Sequence, residues 1–526
     1  MQEAGTIGSK NRIAIYLAAL FLISLFQYAY SLNNDFVWDS RDDFLNDSSI
    51  RDLQHLPGFF VEDFWSYIPR EGSLETAKYY RPIIKAIHLA EYHVFGADPR
   101  GYNAASIILN AAVVLFGFQY IVIVTKNSRA AFLAALLFAV NPVRVEAVSW
   151  AHSDTYLVVA LFSLGALILY AKERYVWSLA AYMLALLSHE SAITLPGIVV
   201  LYELFIRRER QFKELLRRSW LFVPATIVYL ILRRAVLGAL PITSLDPLAL
   251  ANTIAVIVKR SVKMFFLTDA PITVYPKEHF PFLSFEVLVS YAVVAVLLAL
   301  GVYLWRRRKD LFFWYAWFFV SISIMFNVGQ VGDYLMSDKL LNFASLGFCA
   351  FIALAVESAV QWRKEALVFV AVLAAFYSGS TFSHLRFWKN DTAYFDKALE
   401  SAPGFYLLHY IRAGLYASEK DYDSAILEYE RTIQLNPRYS YAYSNLGSAK
   451  NVKGDVVGAL AAWDKASWAD PANPVPYYNI GMVLEQRGEL RGASRMYQRY
   501  LQLAPDAPEQ ERMRIQNVFE KLGEKK

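Results

Sequence analysis

The sequence predicts an all-α protein in two parts: a polytopic membrane domain of about eleven transmembrane helices, then an α-solenoid. Two observations carry the first part. The chain of 526 residues is 56% hydrophobic and 16% aromatic, and its mean hydropathy is positive, which is too apolar for a soluble enzyme of this length. Its apolar segments also recur at lengths that suit a bilayer. The second part rests on a repeat of fixed step that begins after residue 384. A net charge of +5, gathered in short clusters, carries no nucleic-acid signal. Cys349 is the one cysteine, so no intramolecular disulfide forms.

Lys10 and Arg12 precede Ile13 to Leu32, an apolar run too long for a signal-peptide core, which predicts an uncleaved anchor with a cytoplasmic N-terminus. Residues 33–100 read as a long outer loop in which Phe59 to Trp65 and Arg81 to Phe95 form short interfacial helices. Apolar segments follow at about 103–125, 129–147, 153–171, 174–188, 191–206, 219–238, 285–305, 311–329, 339–358 and 365–383. A hairpin at Ser188-His189-Glu190 divides the fourth from the fifth. Leu248 to Leu267 is broken by Lys259, Arg260 and Lys263 before reaching the roughly 20 residues a span needs, so it reads as interfacial.

Basic clusters at Lys126 to Arg129, Lys172 to Arg174, Arg207 to Arg218, Arg306 to Lys309 and Arg363 to Lys364 all fall on the cytoplasmic side of an eleven-span topology. The opposite face then receives Asp39, Asp42 and Asp43, Arg144 and Glu146 with His152 and Asp154, His189 with Glu190, the loop Asp269 to His279, and Asp333 to Lys339. Carboxylates at a bilayer exit are costly to desolvate unless they bind a cation, pair with a base or take a proton. The opening loop is therefore the candidate chemical centre.

Beyond residue 384, Pro403, Pro437, Pro471 and Pro505 recur every 34 residues. Ala425, Ala459 and Ala493 keep the step, as do Tyr429, Trp463 and Tyr497, with Phe395 one step earlier. This is the tetratricopeptide period: small residues let paired helices approach, aromatics fill the gap, and proline ends the second helix. Leu446-Gly447 and Ile480-Gly481 supply the matching first-helix positions. Residues 1–384 thus read as the membrane domain and 385–526 as an extracytoplasmic tetratricopeptide domain of three repeats with flanking helices, the last ending in Glu524-Lys525-Lys526.

Asp39 after an aromatic residue, Tyr80-Arg81-Pro82, the run Phe138 to Val148, Leu187-Ser188-His189-Glu190, Asp338-Lys339-Leu340-Leu341 and the terminal repeats come in that order. Together they resemble the transmembrane and tetratricopeptide repeat-containing O-mannosyltransferases and their prokaryotic relatives. The resemblance implies the GT-C glycosyltransferase fold and transfer of a hexose, mannose for this family, from a polyprenyl-phosphate donor to protein hydroxyls. It departs from the family at Ser40, where a second aspartate is usual, and at Asn141, Arg144, His189 and Lys339. The short loops and modest repeat array favour a prokaryotic plasma membrane, with endoplasmic reticulum as the alternative.

Such a donor carries its own leaving group, so one carboxylate must deprotonate the acceptor and cations must meet the departing phosphate. Asp39 is the first candidate base, with Asp42 and Asp43 beside it. Arg81, Arg144 and Lys339 are the candidate phosphate ligands. Glu146, His152, Asp154, His189 and Glu190 form the sugar or metal environment. A divalent metal, Mn or Mg, is a candidate cofactor with Asp39 and Glu146 as ligands; the His and carboxylate mix also suits Mn or Zn. The expected partners are the lipid-linked donor, the bilayer and an acceptor peptide in the solenoid groove. A transporter would show internal symmetry, and residues 1–383 show no repeat. A lipid or glycan acceptor and an inactive membrane scaffold are the remaining alternatives.

Overall fold

The structure is a computed structural model that describes residues 2–68, 78–209, 211–238, 247–266, 275–276, 284–326, 334–358, 363–505 and 507–522. Asp269 to His279, apart from Tyr275–Pro276, lies outside the described residues, as do Asp333 and the closing Glu524-Lys525-Lys526. The chain is all-α and divides into two compact units, Met1–Lys397 and Ala398–Lys526. A short antiparallel pair, Tyr275–Pro276 with Tyr334–Met336, is the sheet among the described residues.

In the first unit, seven helical stretches are long and apolar enough to cross a membrane: Asn11–Asn33, Pro99–Thr125, Ala151–Ala171, Phe285–Arg307, Lys309–Phe326, Asp338–Ser358 and Lys364–Trp388. Two bent pairs, Ser128–Ala139 with Pro142–Ser149 and Lys213–Ser219 with Phe222–Leu237, raise the number to as many as nine among the described residues. The two remaining segments of the eleven expected are not single long helices. Tyr175–Ser188 has 14 residues, about 21 Å at 1.5 Å per residue and short of a bilayer core. Residues 191–206 are divided among a 3₁₀ turn ending at Thr194, the helix Leu195–Leu201 and a π-turn from Tyr202. The helix ends at Ser188, and His189 has an extended backbone.

Small residues set the closest helix approaches. A Cβ on Gly347 would lie 2.4 Å from the Trp317 ring, and one on Gly117 would lie 3.0 Å from Leu346. The Trp317 indole N–H then reaches the Phe343 carbonyl at 3.1 Å. The helix Pro247–Phe266 buries Val256, Ile257 and Phe265 against Val287, Phe318 and Leu341, while Lys259 and Arg260 pair with Glu286 at its rim.

The first outer loop is packed rather than open. Phe36, Phe44, Ile50 and Phe59 bury with Leu89, Tyr102 and Ala151. The expected helix at Arg81 to Phe95 is present as Pro82–Phe95. Phe59 to Trp65 instead forms a short 3₁₀ turn, Gly58–Phe60, followed by turns in which Asp63 accepts from the backbone N–H groups of Trp65 and Tyr79. That side chain competes with helix formation by satisfying the backbone locally.

In the second unit the helices Tyr422–Leu435, Val456–Ala469 and Leu490–Leu503 each begin 34 residues after the one before. Each packs against its predecessor, Tyr406–Ser418, Ser440–Val452 and Val475–Gln486. Ala425, Ala459 and Ala493 are fully buried, with Tyr429, Trp463 and Tyr497 beside them. Glycine lets the aromatics in: a Cβ on Gly447 would sit 2.5 Å from the Trp463 indole nitrogen, and one on Gly481 2.6 Å from the Tyr497 ring.

Candidate active site

The acidic loop is fastened at both ends of its first turn. Asn103 donates to the Asn34 carbonyl at 2.8 Å, and Asn34 donates to the Ser149 carbonyl at 3.3 Å. The Trp150 indole N–H donates to the Val37 carbonyl at 2.9 Å. Trp38 follows at φ 50°, ψ −124°, a conformation that costs on the order of 1–3 kcal/mol unless the surroundings hold it. Asp391 and the stacked Trp150 ring, 5.4 Å away, hold it.

The next two turns separate the three aspartates. Asp39 is half-buried, and its Oδ2 lies 3.9 Å from Nε2 of His152. Asp43 is fully buried and pairs with Nδ1 of the same imidazole. Asp42 turns toward Asn46, which donates to it at 2.8 Å on the exposed side. Burial opposes charge on Asp43, but His152, His88 and Lys85 outweigh it and hold its pKa below the ordinary aspartate range. The His152 ring lies between Trp65 and Trp150, with centroids 5.8 and 4.9 Å away. Its backbone N–H donates to Ser40 Oγ at 3.1 Å. Ser40 therefore positions His152 through its hydroxyl.

Trp150 also faces Lys339, whose ammonium lies 4.1 Å from the indole centroid. Lys339 is 3.6 Å from Glu146 Oε1, longer than a hydrogen bond. The Glu146 carboxylate accepts from Ser337 Oγ at 2.9 and 3.1 Å and from the Lys339 backbone N–H at 3.0 Å. These bonds fix the Glu146 carboxylate beside Lys339. Lys339 also borders a small, mostly apolar pocket lined by Tyr156, Ser191, Leu195, Ser321 and Phe343 among others.

The other expected phosphate ligands have tighter partners. Arg81 grips Glu190 with two bonds of 2.9 and 3.2 Å over the Tyr79 ring. Burial works against the Glu190 charge, yet Arg81 and His189 hold its pKa below the usual glutamate range. His189 is the reverse case: burial pushes its imidazole down to about 3, against the pull of Glu190, so it is neutral and accepts from Ser191 N–H at 3.0 Å. Arg144 is fully buried, donates to Asn342 Oδ1 at 2.9 Å and to the Phe138 carbonyl at 3.2 Å, and stacks on the Phe138 ring. Asn141 caps the following turn by accepting from Val143 N–H at 3.1 Å.

Asp39, Asp43, His152, Glu146 and Lys339 are thus gathered around Trp150. Arg81, His189 and Glu190 form a second group, joined to the first through Tyr156, whose ring approaches His189 at 4.6 Å and the Lys339 ammonium at 5.6 Å. Asp154 turns to His88 at 3.4 Å. Sequence reasoning missed Trp150, Asp391 and the buried pair Lys85–Asp47. Trp150 carried one signal, an aromatic two residues before the His-Ser-Asp run; the other residues gave none.

No family model matches the sequence. Among curated proteins, the chain is 23% identical over 451 residues to protein O-mannosyl-transferase F38B6.6 of Caenorhabditis elegans, covering 80% of this chain and 63% of that protein. It is 21% identical over 555 residues to protein O-mannosyl-transferase TMTC3 of Mus musculus, covering 91% and 59%. To protein O-mannosyl-transferase TMTC1 of Homo sapiens it is 22% identical over 503 residues, covering 80% and 55%. The chain therefore spans less than two thirds of the length of these relatives. Across most of this membrane-type chain, its curated homologues are protein O-mannosyl-transferases, in agreement with the resemblance carried by its motifs.

Proposed function

We propose that this chain is a membrane glycosyltransferase that moves a mannose from a polyprenyl-phosphate donor to a protein hydroxyl on the extracytoplasmic face. The observation that carries this reading is that the line Asp39–His152–Asp43 and the Lys339 ammonium both meet the Trp150 ring.

In this reading Asp39, the accessible member of the line, takes the proton from the acceptor hydroxyl. The acceptor oxygen bonds to the sugar's anomeric carbon as the bond from that carbon to the phosphate oxygen breaks, and polyprenyl phosphate leaves. Buried Asp43 orients His152, and the imidazole fixes Asp39 through their electrostatic contact. The loose contact between Lys339 and Glu146 lets the ammonium turn to the donor phosphate. The second unit, read as a tetratricopeptide array, presents the acceptor segment.

The test is transfer of radiolabelled mannose from polyprenyl-phosphate mannose into membrane protein, comparing wild type with Asp39→Asn at matched expression. Label that enters protein with the wild type and falls about 10²–10⁴-fold with Asp39→Asn is the expected result. Undiminished transfer by Asp39→Asn would remove Asp39 as the base.

A further inference from the structure

We propose that His88, Glu91 and Asp154 bind one divalent transition-metal ion, Mn²⁺ or Zn²⁺, which clamps the helix Pro82–Phe95 to the start of the helix Asp154–Ala171. The site goes beyond the proposed transfer chemistry and uses none of its residues.

His88 and Glu91 are three residues apart on one helix and project from one face. Asp154 opens the facing helix. Each of the three offers a ligand atom, and these atoms all lie within 4.8 Å of one another. Bonds of about 2.0–2.2 Å to a first-row ion put its ligands within about 4.4 Å of one another, so a few tenths of an ångström of side-chain adjustment closes the site. One imidazole and two carboxylates are a donor set that suits Mn²⁺ or Zn²⁺, and water would complete the coordination.

The surroundings call for a cation. His88 is 1% and Asp154 3% exposed. Glu91 Oε2 is closed off from solvent and has no hydrogen-bond partner, an arrangement that costs free energy unless something meets the oxygen. The nearest lysine along the helix, Lys85, is engaged by Asp47. Phe44 and Phe64 cover the His88 ring at centroid distances of 4.7 and 6.1 Å, so water has little access from that side. Asp154 lies two residues beyond His152, and an ion held there would fix the segment that carries His152 without touching the reacting atoms.

The experiment uses the full chain, purified in detergent through a tag without histidines, stripped with EDTA, and passed through gel filtration after addition of Mn²⁺ or Zn²⁺. Metal per chain is measured by mass spectrometry and stability by thermal unfolding. The wild type is expected to retain about one ion per chain, with affinity weakened about tenfold or more by Glu91→Gln and by His88→Gln. EDTA is expected to lower the melting temperature of the wild type but not of Glu91→Gln, which keeps the side-chain shape. A wild type that retains neither ion, or a Glu91→Gln variant that binds as tightly as wild type, overturns the proposal. These readouts do not depend on sugar transfer, so the site and the transferase reading fail separately.

Discussion

The backbone N–H of Trp38 donates to Asp391 Oδ1 across 2.7 Å, tying the residue before Asp39 to the segment that follows the last apolar helix of the first unit. Arg41 reaches the other carboxylate oxygen at 3.0 Å, and the Asp35 N–H donates to the Lys389 carbonyl at 2.9 Å. Asp391 thus helps hold Trp38 in its left-handed conformation. Asp391→Ala is expected to cost about 1–3 kcal/mol and to expose residues 34–47 to protease. Asp391→Asn, which keeps the acceptor oxygen, is expected to lose less. Limited proteolysis of the two variants in detergent checks the order.

The three aspartates of the loop should separate functionally. Asp43→Asn and His152→Gln each disrupt the line behind Asp39 and are expected to reduce transfer at least tenfold, with a double variant no worse than the weaker single because the residues act as a unit. Asp42→Asn changes a group turned toward Asn46 and is expected to stay within a few-fold of wild type. Initial rates at saturating donor make the comparison.

Glu146 and Lys339 are a buried pair, 2% and 16% exposed. Removing one partner of such a pair costs about 3–5 kcal/mol, while replacing both with apolar side chains of similar volume can be neutral. Glu146→Leu and Lys339→Met are expected to destabilise singly and to recover in the double variant. Chemical unfolding of all four proteins completes the cycle.

His189 gives a definite sign of pH dependence. Its folded pKa, about 3, lies below the unfolded value near 6.5, so the unfolded chain takes up a proton that the folded site refuses. Its contribution is fully present above about pH 6.5 and is lost as pH falls toward the folded value, at up to about 1.4 kcal/mol per unit. Glu190, also depressed, loses its contribution only below about pH 4.3. Between these values, His189→Gln should flatten the acid limb relative to wild type. Arg81, Lys339, Arg233, Tyr156 and Glu190 face the imidazole. Thermal unfolding from pH 8 to 4.5 measures the difference.

Gly447 and Gly481 sit under Trp463 and Tyr497 with no room for a Cβ. Gly447→Val and Gly481→Val are each expected to destabilise the second unit by about 1–3 kcal/mol, read as earlier loss of Trp463 fluorescence on heating. The exposed, positive-φ Gly454 has nothing within 4 Å, so Gly454→Asn is the tolerated control.

Local regularities were legible along the chain because each is written in a short window. The apolar segments, the 34-residue step and the helix Pro82–Phe95 all follow from periodicity and length. The breaks within 174–206 were less legible, since apolar composition does not specify where Tyr202 to Arg207 widens into a π-turn. Among site residues, the sequence marked the charged groups but not their pairing. Arg144 and Glu146 are two residues apart and both buried, yet one meets Asn342 and the other Lys339.

The sequence by itself determined a helical membrane protein with a repeated C-terminal unit, because hydrophobic length and period are properties of consecutive residues. Tertiary structure decided which aspartate meets His152, which cation is held loosely, and that both adjoin Trp150. Those choices depend on backbone direction at Trp38 and on contacts spanning more than a hundred positions, from Asp43 to His152 and from Glu146 to Lys339. Burial then makes them matter: inside the packed loop a charge without a partner is costly, so the arrangement of partners fixes what each side chain can do.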